Sequence, residues 1–258
     1  MNVADTHQIA AEHSSHVQSR NRIRATDTSG YVVFSNGGKG SAHVMAHRML
    51  DQGQIVLGHD RLGAWLEGRT GSGSDWAHLQ FHMAIFELGI GDWDAAYERF
   101  LTAVLPVAQT TEDALTDGPG LLWRLAITAP APINLPWEVL RQTALRSICR
   151  IRDPFIELHH LLAFAGAGDR ESIDSWLRLH TREIRSERER LVIQAGVGLR
   201  AYADRSYGEA GIALRQLAPY TQKIGGSRAQ NELFKDLAEY FRRLAERSGS
   251  AILYRTSA

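Results

Sequence analysis

Leu88-Gly89-Ile90-Gly91-Asp92-Trp93-Asp94-Ala95-Ala96-Tyr97-Glu98-Arg99-Phe100-Leu101-Thr102-Ala103-Val104 ends one helix and begins another across a small-residue turn at Gly91. Ala95 and Ala96 let the paired helix approach closely, and Trp93 and Tyr97 can fill the gap to the next unit. Three further segments stack on this one. They are Leu50–Leu66 around Gly53, Ala165–His180 around Gly168, and Tyr202–Pro219 around Arg205 or Ser206. The turns are spaced by 38, 77 and 38 residues. The double gap predicts one more hairpin turning near residue 129. LLWRLAI (121–127), the Pro-rich TAPAPINLP (128–136) and WEVLRQTALRSI (137–148) supply it. Five helical hairpins at a period near 38 are the signature of an α-solenoid.

The elements outside this register are few. Residues 1–35 are polar and read as a flexible tail, with Tyr31-Val32-Val33-Phe34 a possible short strand cut off by Asn36-Gly37-Gly38. Residues 36–258 read as one helical repeat domain. A long amphipathic helix from Ser227 to about Arg247 carries Leu233, Phe234, Leu237, Tyr240, Phe241 and Leu244 at intervals of three and four, and is expected to cap the solenoid.

Composition narrows the function classes. The 258 residues carry 29 Lys+Arg against 29 Asp+Glu, a balance that argues against nucleic acid or an anionic membrane surface as partner. No run approaches the ~20 apolar residues of a membrane span, and the first 30 residues show no secretory h-region. The expectation is a cytoplasmic protein. One cysteine, Cys149, excludes a disulfide framework and a thiolate zinc cluster, and it reads as a packing residue. No Walker loop, G-x-G-x-x-G or nucleophile elbow occurs, so neither phosphoryl transfer nor nicotinamide chemistry is supported.

The eleven histidines are the anomaly. His7, His13 and His16 lie in the tail, and His59 and His180 on second helices read as incidental. The other six fall on first helices: His43 and His47, His78 and His82, His159 and His160. Both early pairs are H-x3-H, which puts two imidazoles on one helical face. Three readings stay open. The rings can pack and hydrogen-bond between helices. They can be acid–base groups of an organic-ligand pocket. They can bind a metal, since imidazole suits zinc, iron, copper and nickel. Two features weigh against metal. There is no H-E-x-x-H, and the pairs stand at different heights above their turns, ten and six residues before Gly53 but thirteen and nine before Gly91.

Other candidates surround them. Arg124, in an apolar stretch, requires an anion, and Asp117 precedes it on the same segment with Trp123 beside it. Glu157 and His159 are two apart and do not share a helix face. Ser227-x-x-Gln230 is a capping box, and the alternative is an anion site at that helix N-terminus.

Gly91–Tyr97 resembles the second-helix start of a tetratricopeptide repeat. More widely, His43-Val44-Met45-Ala46-His47, His78-Leu79-Gln80-Phe81-His82, Leu121–Leu125, Phe155–His159 and Ile224–Ser227 with Ala229-Gln230 resemble the landmarks of the tetratricopeptide repeat protein 38 family, from about Ser41 to Phe234. The resemblance implies an all-α, right-handed solenoid whose first helices line a concave groove. It also implies recurring polar positions on those helices.

Residues and resemblance together lead to a small-molecule enzyme or binding protein with a pocket in that groove. His47, His82, Asp117, Arg124, Glu157 and His159 are its expected catalytic residues. His43, His78, Trp123, Ser227 and Gln230 are its expected substrate contacts. Arg124 would hold a carboxylate of a small organic molecule while a histidine moves protons in a cyclisation, elimination or isomerisation, with no metal and no other cofactor. The alternative is an interaction scaffold with a peptide or partner helix in the groove, and a protein partner or homodimer is possible in either case.

Overall fold

A computed structural model describes residues 38–110, 115–131, 133–147, 153–182 and 186–249. The tail, the possible strand at 31–34 and Cys149 lie outside the described residues. Every regular element among the described residues is helical. None of the helices is long and apolar enough to cross a membrane.

The helices alternate in consecutive packed pairs. α1 (Lys39–Asp51) pairs with α2 (Ile55–Leu66), and α3 (Gly73–Ile90) with α4 (Trp93–Arg99). α4 continues through a π-helical turn, Phe100–Val104, into α5 (Leu105–Ala108). Pro106 accounts for that turn, because its ring cannot accommodate the carbonyl of a regular preceding turn. Next come α6 (Gly118–Thr128) and α7 (Trp137–Ser147), α8 (Pro154–Gly166) and α9 (Arg170–His180), and α10 (Glu187–Ala203) and α11 (Tyr207–Leu217). A 3-10 segment, Ala218–Lys223, leads to α12 (Arg228–Arg247).

Four of the inter-helix turns are the same object. Gly53, Gly91, Gly168 and Arg205 all have positive φ, at 65, 87, 70 and 62°. At each, the N–H of the left-handed residue donates to the carbonyl three residues back, and the next N–H to the carbonyl five back. That is the Schellman arrangement, which satisfies two orphan carbonyls of the preceding helix. The fourth stacked position is thus Arg205 rather than Ser206. The remaining turn, between α6 and α7, runs through the Pro-rich stretch, as its composition predicts.

Side chains set how the pairs meet. Trp93 donates from Nε1 to Leu125 O on α6 at 3.0 Å, and Ala96 is fully buried, so the turn following Gly91 serves the contacts its residues suggest. Gly58 faces Phe86, and a Cβ there would come within 2.2 Å of the ring. Gly166 stands under Trp137 in the same way, at 2.3 Å. The apolar core falls into two clusters. One joins Met45, Leu62, Met83 and Phe86, and the larger one runs from Phe81 through Trp123 and Phe164 to Phe241.

The first helices follow one another, α1 against α3, α3 against α6, α6 against α8 and α8 against α10. α12 packs most closely on α11 but also reaches α6 and α1. Its first turn is tied down at two points. Arg124 donates from Nη2 to Ala229 O, and Arg228 donates from Nη1 to Asp51 O at 3.1 Å. The last helix therefore lies against two of the first helices as well as against its neighbour α11.

Candidate metal centre

α1 carries His43 and His47 one turn apart, and α3 carries His78 and His82 one turn apart. Because α1 packs against α3, all four imidazoles face one point, with one ring nitrogen of each within 4.8 Å of the others. The Nε2 atoms form a chain: His47 to His43 is 2.8 Å, His43 to His78 is 3.0 Å, and His78 to His82 is 3.1 Å. Unequal height above the turns does not keep the pairs apart. His43 meets His78, 35 residues on, whereas the turns are 38 apart, so the second hairpin is slipped by about three residues, or about 4.5 Å of helix rise.

Asp117, at the N-terminal boundary of α6, orients the set. His78 donates from Nδ1 to Asp117 Oδ2 at 2.7 Å, which turns its Nε2 toward the other three rings. The second carboxylate oxygen accepts from Gln230 Nε2 at 3.2 Å. Burial works against a proton on His78, but the bond and charge of Asp117 outweigh it and hold its pKa above the usual imidazole value. The other three are shifted down. Burial is the first cause for His43, His47 and His82, and the neighbouring imidazoles add to it. His82 is shifted furthest, being fully buried, and its Nδ1 has no hydrogen-bond partner among the described residues. The cluster is thus closed at His82 and half-open at His43, His47 and His78.

The other expected site residues are placed differently. Arg124 is buried and gives its guanidinium to two backbone carbonyls, Gly120 O and Ala229 O, so it braces α6 against α12. Burial lowers its pKa to about 10, with Asp236, Glu232 and Asp117 opposing, so it stays charged near neutrality. Trp123 is a core residue. Its Nε1 donates to Leu162 O at 2.9 Å, and its ring packs on Trp137, Tyr202 and Phe241. Ser227 and Gln230 form the capping box reciprocally, and Gln230 alone reaches the cluster, through Asp117.

His159 is buried and donates from Nδ1 to Phe155 O at 2.8 Å, outside the four-imidazole set. Glu157 pairs with His180 on α9, Oε1 to Nε2 at 3.2 Å. Sequence reasoning passed over His180. The two residues stand 11 before and 12 after Gly168, and nearly equal distances from a hairpin turn are a legible signal of facing positions.

A cleft of about 600 Å3 lies elsewhere, lined by Ile127, Pro130, Trp137, Tyr240, Arg243 and Arg247 among others, and none of the expected site residues lines it. Neither a protein-family model, nor a curated protein, nor a solved structure matches the chain.

Proposed function

We propose that His43, His47, His78 and His82 together bind a divalent transition-metal ion, and that this ion is the working part of a small-molecule enzyme or binding protein. One observation carries the reading. His78 Nε2 lies within 3.1 Å of Nε2 atoms on both sides, His43 and His82. An imidazole nitrogen has one in-plane position for a proton or a lone pair. Whether His78 is neutral or protonated, that position serves one neighbour, and hydrogen bonding leaves the other contact unfavourable. An ion accepts all four lone pairs at once. Asp117 is the outer partner such a centre needs, because a carboxylate on the distal nitrogen fixes the ring and raises its basicity.

This reading differs from cofactor-free acid–base chemistry in what the imidazoles do. Arg124, the residue expected to hold a substrate carboxylate, already has two backbone partners, which favours the ion as the anion-holding group. The frame we propose is the right-handed solenoid of five tetratricopeptide-like hairpins, similar to the tetratricopeptide repeat protein 38 family. An interaction scaffold has less support, since α12 lies over part of the first-helix surface a peptide would use.

The test is metal content. The full chain, purified without chelators, should carry close to one transition-metal ion per chain by elemental analysis. A variant with His78 and His82 replaced by Ala should carry none. A folded wild-type chain that takes up none of iron, cobalt, nickel, copper or zinc when each is supplied would overturn the proposal.

A further inference from the structure

We infer that the ion held by the four histidines keeps at least one coordination position open to solvent, and that this position takes a small anion, the carboxylate of an organic acid. The inference rests on the metal reading above and adds a coordination geometry and a ligand class to it.

Spacing carries the geometry. With metal–nitrogen bonds of about 2.0–2.1 Å, tetrahedral ligands stand about 3.3 Å apart and ligands at right angles about 2.9 Å apart. The three successive Nε2 separations are 2.8, 3.0 and 3.1 Å. All three correspond to angles near 90° at a central ion. Four imidazoles set at such angles leave positions unfilled on a five- or six-coordinate ion, and they suit iron, nickel or copper better than a closed tetrahedral zinc site.

Burial says which side is open. His82 is fully buried and backs the site, whereas His43, His47 and His78 are each partly exposed. An exogenous ligand therefore enters from the α1 face, opposite His82. Charge says what the ligand is. A divalent ion held by four neutral imidazoles and one outer carboxylate, Asp117, leaves a net charge of about +1 in a half-buried place. Two other acids bear on these rings. Asp75 sits 3.7 Å from Lys39, which offsets it, and Asp51 is exposed at the end of α1. An anion is therefore favoured over a neutral donor, and a carboxylate oxygen matches a borderline-hard ion.

Cobalt substitution tests this on the full chain. Cobalt(II) in a five- or six-coordinate site gives weak visible bands, and in a tetrahedral site intense ones. The cobalt-loaded protein should show the weak bands, and titration with sodium acetate, and separately with sodium azide, should shift them saturably. An intense tetrahedral spectrum, or a spectrum that neither anion moves, would overturn the open position while leaving the metal centre standing. Azide binding without acetate binding would overturn the carboxylate assignment alone. Absence of cobalt binding, with no uptake of iron, nickel, copper or zinc either, would remove the metal reading itself, and this inference with it.

Discussion

Asp117 and His78 are 39 residues apart in the chain and meet at 2.7 Å, Oδ2 to Nδ1, making the short contact that aims His78 Nε2 into the histidine cluster. Asp117 is 3% exposed, and its other oxygen is held by Gln230. It is a positioning residue for the centre. Replacing Asp117 by Ala should weaken metal affinity by roughly 10- to 100-fold, the usual effect of losing such an outer partner. Competition with a chromophoric chelator measures this. Asp117→Asn, which keeps an oxygen acceptor, should recover part of the loss. Unchanged affinity in Asp117→Ala would show that the contact does not orient the ligand.

Arg124 separates a structural from a catalytic role. Its two donors close the carbonyls of Gly120 and Ala229, both in the packed junction of α6 and α12. Arg124→Met should lower stability by about 1–3 kcal/mol, because buried acceptors lose their partners. Urea unfolding gives the number. The same variant should retain the wild-type metal stoichiometry. A fully stable variant that loses its function would instead return Arg124 to the reacting groups.

Much of the helical order was legible because it is local chemistry. The spacing of Gly53, Gly91 and Gly168 marks places where the backbone needs a left-handed residue, and composition shows that directly. The histidine pairs were legible as facing pairs for the same reason. That they share one groove was expected, but not that four imidazoles meet at ligand distance, because this depends on the slip between α1 and α3, which no local pattern carries. Arg124 misled for a related reason. A buried guanidinium needs acceptors, but one of its two, the carbonyl of Ala229, is 105 residues away and invisible to any local pattern.

Arg205 offers a test of the repeated turn. It occupies with a side chain the left-handed position that glycine fills in the other three Schellman turns, at φ 62°. Its own side chain makes no hydrogen bond or ion pair among the described residues. A non-glycine residue in this region costs on the order of 1 kcal/mol, part of which glycine returns through its freer unfolded chain. Arg205→Gly should therefore raise the urea midpoint, by up to about 1 kcal/mol in stability. Gly91→Ala, the converse change, should lower it. A lower midpoint for Arg205→Gly would mean that the turn is not strained.

His160 and His159 predict how the protein meets acid, independently of the cluster. Burial pushes the pKa of His160 down to about 4, with His159 adding to it. His159 is lowered chiefly by burial, with its bond to Phe155 and the charge of Asp117 opposing and Arg124 reinforcing. Both are neutral in the folded chain near neutrality, while in the unfolded chain they titrate near the ordinary value of about 6.5. Below that pH the unfolded chain binds protons that the folded chain refuses, so stability falls as pH falls. The loss from His160 begins near 6.5 and levels off near its folded value of about 4. One such histidine contributes a slope of up to about 1.4 kcal/mol per pH unit inside the window and nothing above it. Urea midpoints of the wild-type chain and of His160→Leu, taken from neutral pH down to about pH 5, should diverge in slope, the variant being flatter. Its absolute stability can move either way, because the ring also packs in the core, so the slope is the quantity that decides. Parallel slopes would show that His160 takes up its proton without unfolding.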